Sequence, residues 1–505
     1  MTGKQPNILF IQTDQLAVNV LNSYGGTVCK TPHLDRLAVE GVVFENAYCN
    51  FPLCAPSRFS MAAGLLASRI GAYDNAAEFP SSVPTYAHYM RDLGYQTCLS
   101  GKMHFVGPDQ LHGFEKRLTS DIYPADFEWT ADWSAKGFGG ATGLTVFENS
   151  GVCARSVQID YDEETTHKAV QELYDIARSD DERPFFLQVS YTHPHDPYLC
   201  TQGYWDLYEG ADIPPPRVSF IEKADNDAHS LRVLNQHGLA GNGLSDEAIM
   251  RARRAYMGSV TYIDDLVGRL VATLEHTGQA GNTVIVFCSD HGEMLGERGL
   301  WLKKTFFEQA LRVPLLMHAP GRLEPGRVRE FCSLVDLLPT FTGLGAGPDW
   351  QGTVEPLDGI DLIGLVASGD AEPQRPVYAE LLCEGILAPV FMIRRGRHKF
   401  ITSTGDPDLL FDLEADPEEL HNLASDPAHA DLVAQFAKEA ASLWDSEDLS
   451  LDIVKSQQRR LLIKRAHSKG ARTSWEFIPP GEDTSKWYRG QRNYNEWALD
   501  VLKPV

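Results

Sequence analysis

The chain alternates short apolar runs with longer stretches in which apolar residues return every three or four positions. Asn7–Gln12, Val42–Ala47, Gln96–Ser100, Phe185–Tyr191 and Asn282–Cys288 have strand length and are largely apolar, the pattern of strands buried on both faces. Pro32–Glu40, Tyr86–Leu93, Thr165–Arg178 and Asp246–Thr277 have helical spacing. The alternation predicts an α/β fold with a large, mainly parallel sheet flanked by helices. After about Pro320 the texture changes. Shorter strands at Val377–Glu380, Val390–Ile393, Lys399–Thr402 and Leu410–Leu413 precede a helix over Ala428–Trp444. Three parts are predicted: a large domain over 1–320, a smaller α+β subdomain over 321–455, and an extension over 456–505 with little periodicity.

The polar residues fall where such a sheet would use them. Asp14 follows the first strand, Lys102 and His104 the strand at 96–100, His193 and His195 the strand at 185–191, and Asp290 and His291 the strand at 282–288. Open α/β sheets form sites outside the carboxyl ends of their strands. Four strands thus deliver proton-transfer or metal-type side chains to one edge.

Composition narrows the partners. With 45 Lys and Arg against 69 Asp and Glu, the net charge of −24 argues against nucleic acid or anionic membranes, which need a basic face. No apolar run approaches the ~20 residues of a membrane span. The first apolar run, Ile8–Ile11, is too short for a signal-peptide core. The nine cysteines are scattered, odd in number and without a CxxC pair, which reads as reduced thiols in a cytoplasmic protein.

The densest chemistry is Cys54-Ala55-Pro56-Ser57-Arg58, continued to Met61-Ala62-Ala63-Gly64. Taken alone, the thiol is either a low-pKa nucleophile near Arg58 and a helix start, or an inert buried cysteine. Asp14, Asp290 and His291 are an oxygen-rich set with one imidazole, suited to a hard or borderline divalent ion. Lys102 and His104 suit an anionic tetrahedral centre.

Together these motifs resemble the type I sulfatase family. The Cys54 segment matches its first signature, and Gly94–His104 matches its second. His193-Pro194-His195-Asp196-Pro197 is similar to the family's histidine loop, and Ser289–Gly292 to its second metal element. Asp412-Leu413 through Asn422-Leu423 is similar to a late motif that reads as a structural turn. The resemblance implies an alkaline-phosphatase-like fold with a catalytic domain over 1–320. It implies that a formylglycine-generating or equivalent maturation enzyme converts Cys54 to formylglycine, whose hydrate is the nucleophile. Catalytic roles fall on Cys54, Arg58, Lys102, His104, His195 and Lys303. One divalent ion, Ca2+ or Mn2+ with Mg2+ a third option, would be held by Asp14, residue 54, Asp290 and His291. In one respect the chain departs from the pattern. Asp14-Gln15 stands where sulfatases often carry Asp-Asp.

A narrower likeness is to the choline sulfatase subgroup, through Ala47–Met61, Ser68–Ala76, Met103–Pro108, Asp121–Phe127 and Arg472–Phe477. It implies a quaternary ammonium held by an aromatic face and a carboxylate, with Asn75, Trp129, His193 and Glu384 as substrate-binding residues. Trp133–Val152 looks unlike the subgroup. The expected function is hydrolysis of sulfate monoesters, with choline sulfate as the first choice. An arylsulfatase or a phosphonate/phosphodiester hydrolase with the same site is the alternative. Intact Lys102, His104, Asp290 and His291 argue against a non-catalytic ester binder. The aromatic tail (Trp475, Phe477, Trp487, Tyr488, Tyr494 and Trp497) predicts a homodimer or homotetramer.

Overall fold

The computed structural model describes residues 5–133, 143–241, 243–347, 350–368, 375–382, 384–471 and 473–481. The strands of the large sheet are β1 (Asn7–Thr13), β2 (Val42–Tyr48), β3 (Gln96–Gly101), β4 (Lys116–Arg117), β5 (Phe185–Ser190), β6 (Thr283–Ser289), β7 (Arg312–Val313), β8 (Leu315–His318) and β9 (Gly326–Ser333). Their order is β9-β2-β8-β6-β1-β5-β3-β4, with β7 paired to β2. The central strands β6, β1, β5 and β3 are parallel, and β8 runs against its neighbours. β1, β5 and β6 are buried along nearly their whole length, as their unbroken apolar sequences require.

Register positions the site. Gln12 and Gly101 both stand opposite Ser190, and Thr13 stands opposite Ser289. The residues that follow, Asp14, Lys102 and Asp290, therefore emerge in one row. Gly101 is indispensable in that row. Its φ of +105° and a Cβ that would fall 1.9 Å from the Ser190 carbonyl leave no space for another residue.

Helix α1 (Cys54–Ala63) is buried at every position. Pro56 sits in its first turn, where no intrahelical N–H is needed, and Gly64 closes it with a φ of +66°. The N-cap, Leu53, has no capping side chain. Asn75 Oδ1 supplies the missing acceptor for the Ala55 N–H at 3.0 Å. The helix start, and with it Cys54, is thus tied to a distant turn.

A second sheet is an antiparallel meander of β10 (Val377–Leu381), β11 (Val390–Arg395), β12 (His398–Ser403) and β13 (Asp406–Asp412). A helix over Ala430–Leu443 covers it, with Phe436 stacked on Phe400 and Trp444 on Phe391. The late motif is the structural turn it was expected to be. Glu419 accepts the Glu308 N–H and pairs with Lys399, and Asn422 Oδ1 accepts the Leu410 N–H.

The boundaries differ from the expected ones. β9 lies beyond residue 320 yet pairs with β2 in the large sheet. Position 456 falls inside helix α2 (Ser446–His467). The extension therefore begins as a long helix. Beyond it, Trp475 packs on Phe127 and His467, and Phe477 lies over Arg117, all in the same chain. Trp487, Tyr488, Tyr494 and Trp497 lie outside the described residues, as do 134–142 of the unusual segment, Arg472 and Cys383. No described helix is long and apolar enough to cross a membrane.

Lys399 joins the two sheets. Its buried ammonium lies 2.8 Å from both Glu308 and Glu419. Burial alone would raise the Glu308 carboxyl, but Lys399 holds it down at about 2. Lys399→Met should strand the buried Glu419 and the half-buried Glu308 carboxylates and cost about 3 kcal/mol in denaturant unfolding at neutral pH. Because Glu308 is depressed, its stabilisation is present above its ordinary value of 4.5 and is lost as pH falls towards about 2. The mutational penalty should shrink over that window. A penalty under ~1 kcal/mol at pH 7, the size of a surface pair, would contradict the assignment.

Candidate active site

Four of the residues expected to gather do so. Asp14, Cys54, Asp290 and His291 are buried, and one ligand atom from each lies within 4.8 Å of the others. Cys54 Sγ is 3.3 Å from His291 Nε2 and 3.8 Å from Asp14 Oδ1. His291 Nδ1 faces the Gly292 carbonyl at 3.0 Å. It must donate there, which leaves the Nε2 lone pair aimed inward. Burial pushes His291 below the ordinary imidazole range, so the ring is neutral. Burial alone would raise Asp14, but Lys102, His195 and Arg58 outweigh it and hold the carboxyl well below the usual range.

Arg58 organises this cluster. Nε donates to Asp290 Oδ2 at 2.8 Å and Nη2 to Asp14 Oδ2 at 3.0 Å. Nη1 donates to the Lys102 carbonyl and Ser190 Oγ, each at 2.8 Å. Each aspartate thus spends Oδ2 on the guanidinium, while Oδ1 lies 3.6–3.7 Å from His291 Nε2. Sequence reasoning gave Arg58 a direct part in the reaction. In the structure its guanidinium is fully buried among these partners and orients the two carboxylates.

Two carboxylate oxygens, an imidazole nitrogen and residue 54 form a donor set that fits a divalent ion. With a cysteine thiolate the set would lean towards zinc. With an oxygen at that position it suits a harder ion.

Above Cys54 opens a cavity of about 520 Å³, walled by Asn75, Tyr123, Trp129, His195, Lys303, Lys304 and Glu384 among others. Asn75, Trp129, Glu384, His195 and Lys303 were all expected there. Lys303 Nζ donates to His195 Nε2 at 2.8 Å and to Gln15 Oε1. Burial would lower Lys303, but Cys54 and Asp14 raise it, so it remains a cation. His195 Nδ1 faces the Asp196 carbonyl at 2.8 Å. Lys102 is salt-bridged to Asp14 and lies 4.3 Å from the Tyr123 ring centre. His104 packs against Tyr123 and Trp129 with neither ring nitrogen bonded. Burial, aided by Lys102, pushes it down to about 3.

His193 does not belong to the pocket. Its Nδ1 lies 2.6 Å from buried Asp162, which also accepts the Thr192 and His193 N–H groups. It anchors the loop that carries His195. Glu384 is in the pocket, but its carboxylate is 2.7 Å from Lys304 Nζ. Sequence reasoning missed Tyr123, Gln15, Asp196 and Lys304. Gln15 had been visible as the departure from Asp-Asp, and here its amide reads Lys303 and Glu293 instead of joining the carboxylates. Gln15, His104, Leu302 and Lys304 all adopt positive φ, backbone strain of the kind that collects at functional sites.

The sulfatase family model matches residues 6–347, more than half of the chain and every named residue of this site but Glu384. The protein belongs to the sulfatase family. It is a sulfuric ester hydrolase of the alkaline phosphatase superfamily. A second model, described as the C-terminal part of N-sulphoglucosamine sulphohydrolase, matches residues 296–445. A choline-sulfatase of Rhizobium meliloti (strain 1021) is 42% identical, over 100% of this chain and 98% of its own. A multifunctional alkaline phosphatase superfamily protein, PehA, of Trinickia caryophylli is 29% identical over 88% and 95%. Among solved structures, a phosphonate monoester hydrolase from Silicibacter pomeroyi superposes with a TM-score of 0.72 at 25% identity, covering 87% of this sulfatase and 95% of that chain.

If the four-residue cluster holds the ion, Asp290→Ala should weaken divalent metal binding by more than about 100-fold, beyond what loss of an outer-shell partner gives. Elemental analysis after dialysis reads this out. Full occupancy in the variant would contradict the ligand set.

Proposed function

We propose that this sulfatase hydrolyses sulfate monoesters through formylglycine made from Cys54 by a maturation enzyme, with choline sulfate as its substrate. The observation that carries the reading is the position of Cys54 Sγ. It lies at the floor of the pocket, 3.3 Å from His291 Nε2 and 3.8 Å from Asp14, where a hydrate oxygen would take the place of the sulfur. The aldehyde hydrate supplies a nucleophilic oxygen and a second hydroxyl through which sulfate can later be released.

Asp14, Asp290, His291 and residue 54 would hold one divalent ion, which adds positive charge at that oxygen. The imidazole in the set favours Mn2+ over Ca2+. Lys102 and Lys303 place two more cations around the sulfate oxygens. Lys303, held protonated and bonded to His195, gives a proton to the departing alcohol. His104 is neutral and without a partner. A low pKa makes it a poor base until negative charge arrives, and an anionic sulfate group supplies that charge.

At the alcohol end, Trp129 presents an aromatic face, with Asn75 and Glu384 beside it. The 42% identical choline-sulfatase supports a quaternary ammonium there. One observation favours a second reading, an aryl sulfate or phosphonate: Lys304 already pairs with Glu384. A cationic substrate must share that carboxylate. The eight described cysteines are free, which supports a reducing, cytoplasmic compartment. The reading keeps a homodimer or homotetramer.

Cys54→Ala should leave the fold intact and remove nearly all activity. A rate above a few per cent of the parent, a loss under ~2 kcal/mol, would refute the nucleophile. The substrate is decided separately. For choline sulfate, Trp129→Ala and Glu384→Gln should each raise KM about tenfold, and Lys304→Met should lower it, with little change for a neutral aryl sulfate. A parent kcat/KM favouring aryl sulfate or aryl phosphonate over choline sulfate would replace the choline reading with the second one.

A further inference from the structure

Helix α2 buries an unusual stripe. Its inward residues are Ile453, Gln457 and Arg460, spaced as one helical face. A helix that merely packs buries apolar groups along such a stripe, yet two of these three are polar and each meets a specific group adjoining the pocket wall. Arg460 makes a bidentate pair with Asp74, Nη1 to Oδ1 and Nη2 to Oδ2, both at 2.7 Å and both buried. Asp74 precedes Asn75, which lines the pocket and caps the helix bearing Cys54. Gln457 Oε1 accepts the Trp133 N–H at 2.8 Å. Two turns on, Lys464 donates to the Glu128 carbonyl at 2.7 Å. Residues 128–131, between those two anchors, form the rim that carries Trp129.

The segment after α2 grips the same loop from its other end. Glu476 Oε1 accepts the Ala125 N–H at 3.0 Å, and Trp475 packs on Phe127 at 5.1 Å. The loop has no regular secondary structure between Tyr123 and Ala131, so no ladder hydrogen bonds hold it. Besides its own turn bonds and the Gly107 N–H on the Ala125 carbonyl, its backbone is held by Gln457, Lys464 and Glu476 of the C-terminal region.

We propose that α2 is a brace for the alcohol side of the pocket, with Gln457 and Arg460 as positioning residues for substrate binding. Gln457 sets the rim that carries Trp129, and Arg460 sets the Asp74–Asn75 turn. Neither touches substrate. The proposal rests on the cavity above Cys54 being the alcohol site, and its test includes a readout that does not need turnover.

In Gln457→Leu, amide hydrogen exchange across residues 123–133 should quicken by about tenfold, while exchange in β1, β5 and β6 stays as in the parent. KM for choline sulfate should rise about fivefold with kcat within about twofold, the mark of lost binding without lost chemistry. In Arg460→Gln the turn at 72–77 should loosen, and adding Asp74→Asn should restore it by removing the unpaired buried charge. Unchanged exchange at 123–133 in Gln457→Leu would overturn the brace. So would a fall in kcat matching the rise in KM, or a double variant no better than Arg460→Gln alone. A parent enzyme inert on choline sulfate would count against the choline reading, and the exchange arm would still decide the brace.

Discussion

The site depends on one buried guanidinium. Arg58 reaches Asp14 at the end of β1, Asp290 at the end of β6, Ser190 at the end of β5 and the carbonyl of Lys102 just past β3. Four adjacent parallel strands are thereby pinned at one level by a side chain rooted in the helix that starts at Cys54. Burying that much charge is expensive, and a planar fork with fixed donors is the group that can satisfy two carboxylates at once. The pairing also partitions the oxygens. One of each aspartate is consumed by Arg58, and the other is left near His291 and residue 54. A lysine could not divide the carboxylates this way.

This arrangement reconciles an acidic protein with an anionic substrate. The chain carries a net charge of −24, but the pocket is lined by Lys303 and sits above a cluster whose negative charge is paired with Arg58 and Lys102. In the proposed reading selectivity then passes to the rim, where Trp129, Asn75 and the Lys304–Glu384 pair line the cavity. The floor supplies the family's chemistry. The rim is built by loops and held from outside by α2, which leaves it free to vary without disturbing the strands.

Much of this was legible in the residues. β1, β3, β5 and β6 are apolar runs bounded by polar residues, and their ends are where Asp14, Lys102, His195 and Asp290 stand. Strong local signals of this kind survive folding because register, not side-chain detail, sets the row. The errors have physical causes. α2 was read as unpatterned because its buried stripe contains Gln457 and Arg460, whose partners lie more than 300 residues away. The boundary at 320 failed because β9 returns to the large sheet after a change in texture. His193 was placed in the pocket because its neighbour His195 is there, while its own partner, Asp162, sits on a helix with no motif. Arg58 was given a catalytic role because a cation beside a nucleophile suggests it, and only the three-dimensional arrangement reveals its two carboxylates. The Lys304–Glu384 pair joins residues that no spacing connects.

The central claim is that residue 54 acts as an aldehyde hydrate held at the junction of Asp14, Asp290 and His291. Mass spectrometry of the peptide containing residue 54, from a preparation whose specific activity is known, tests it most directly. The account predicts that the peptide has lost the thiol sulfur and gained a carbonyl oxygen, in a fraction that rises and falls with specific activity across preparations. A fully active preparation whose peptide carries only unmodified cysteine would contradict it.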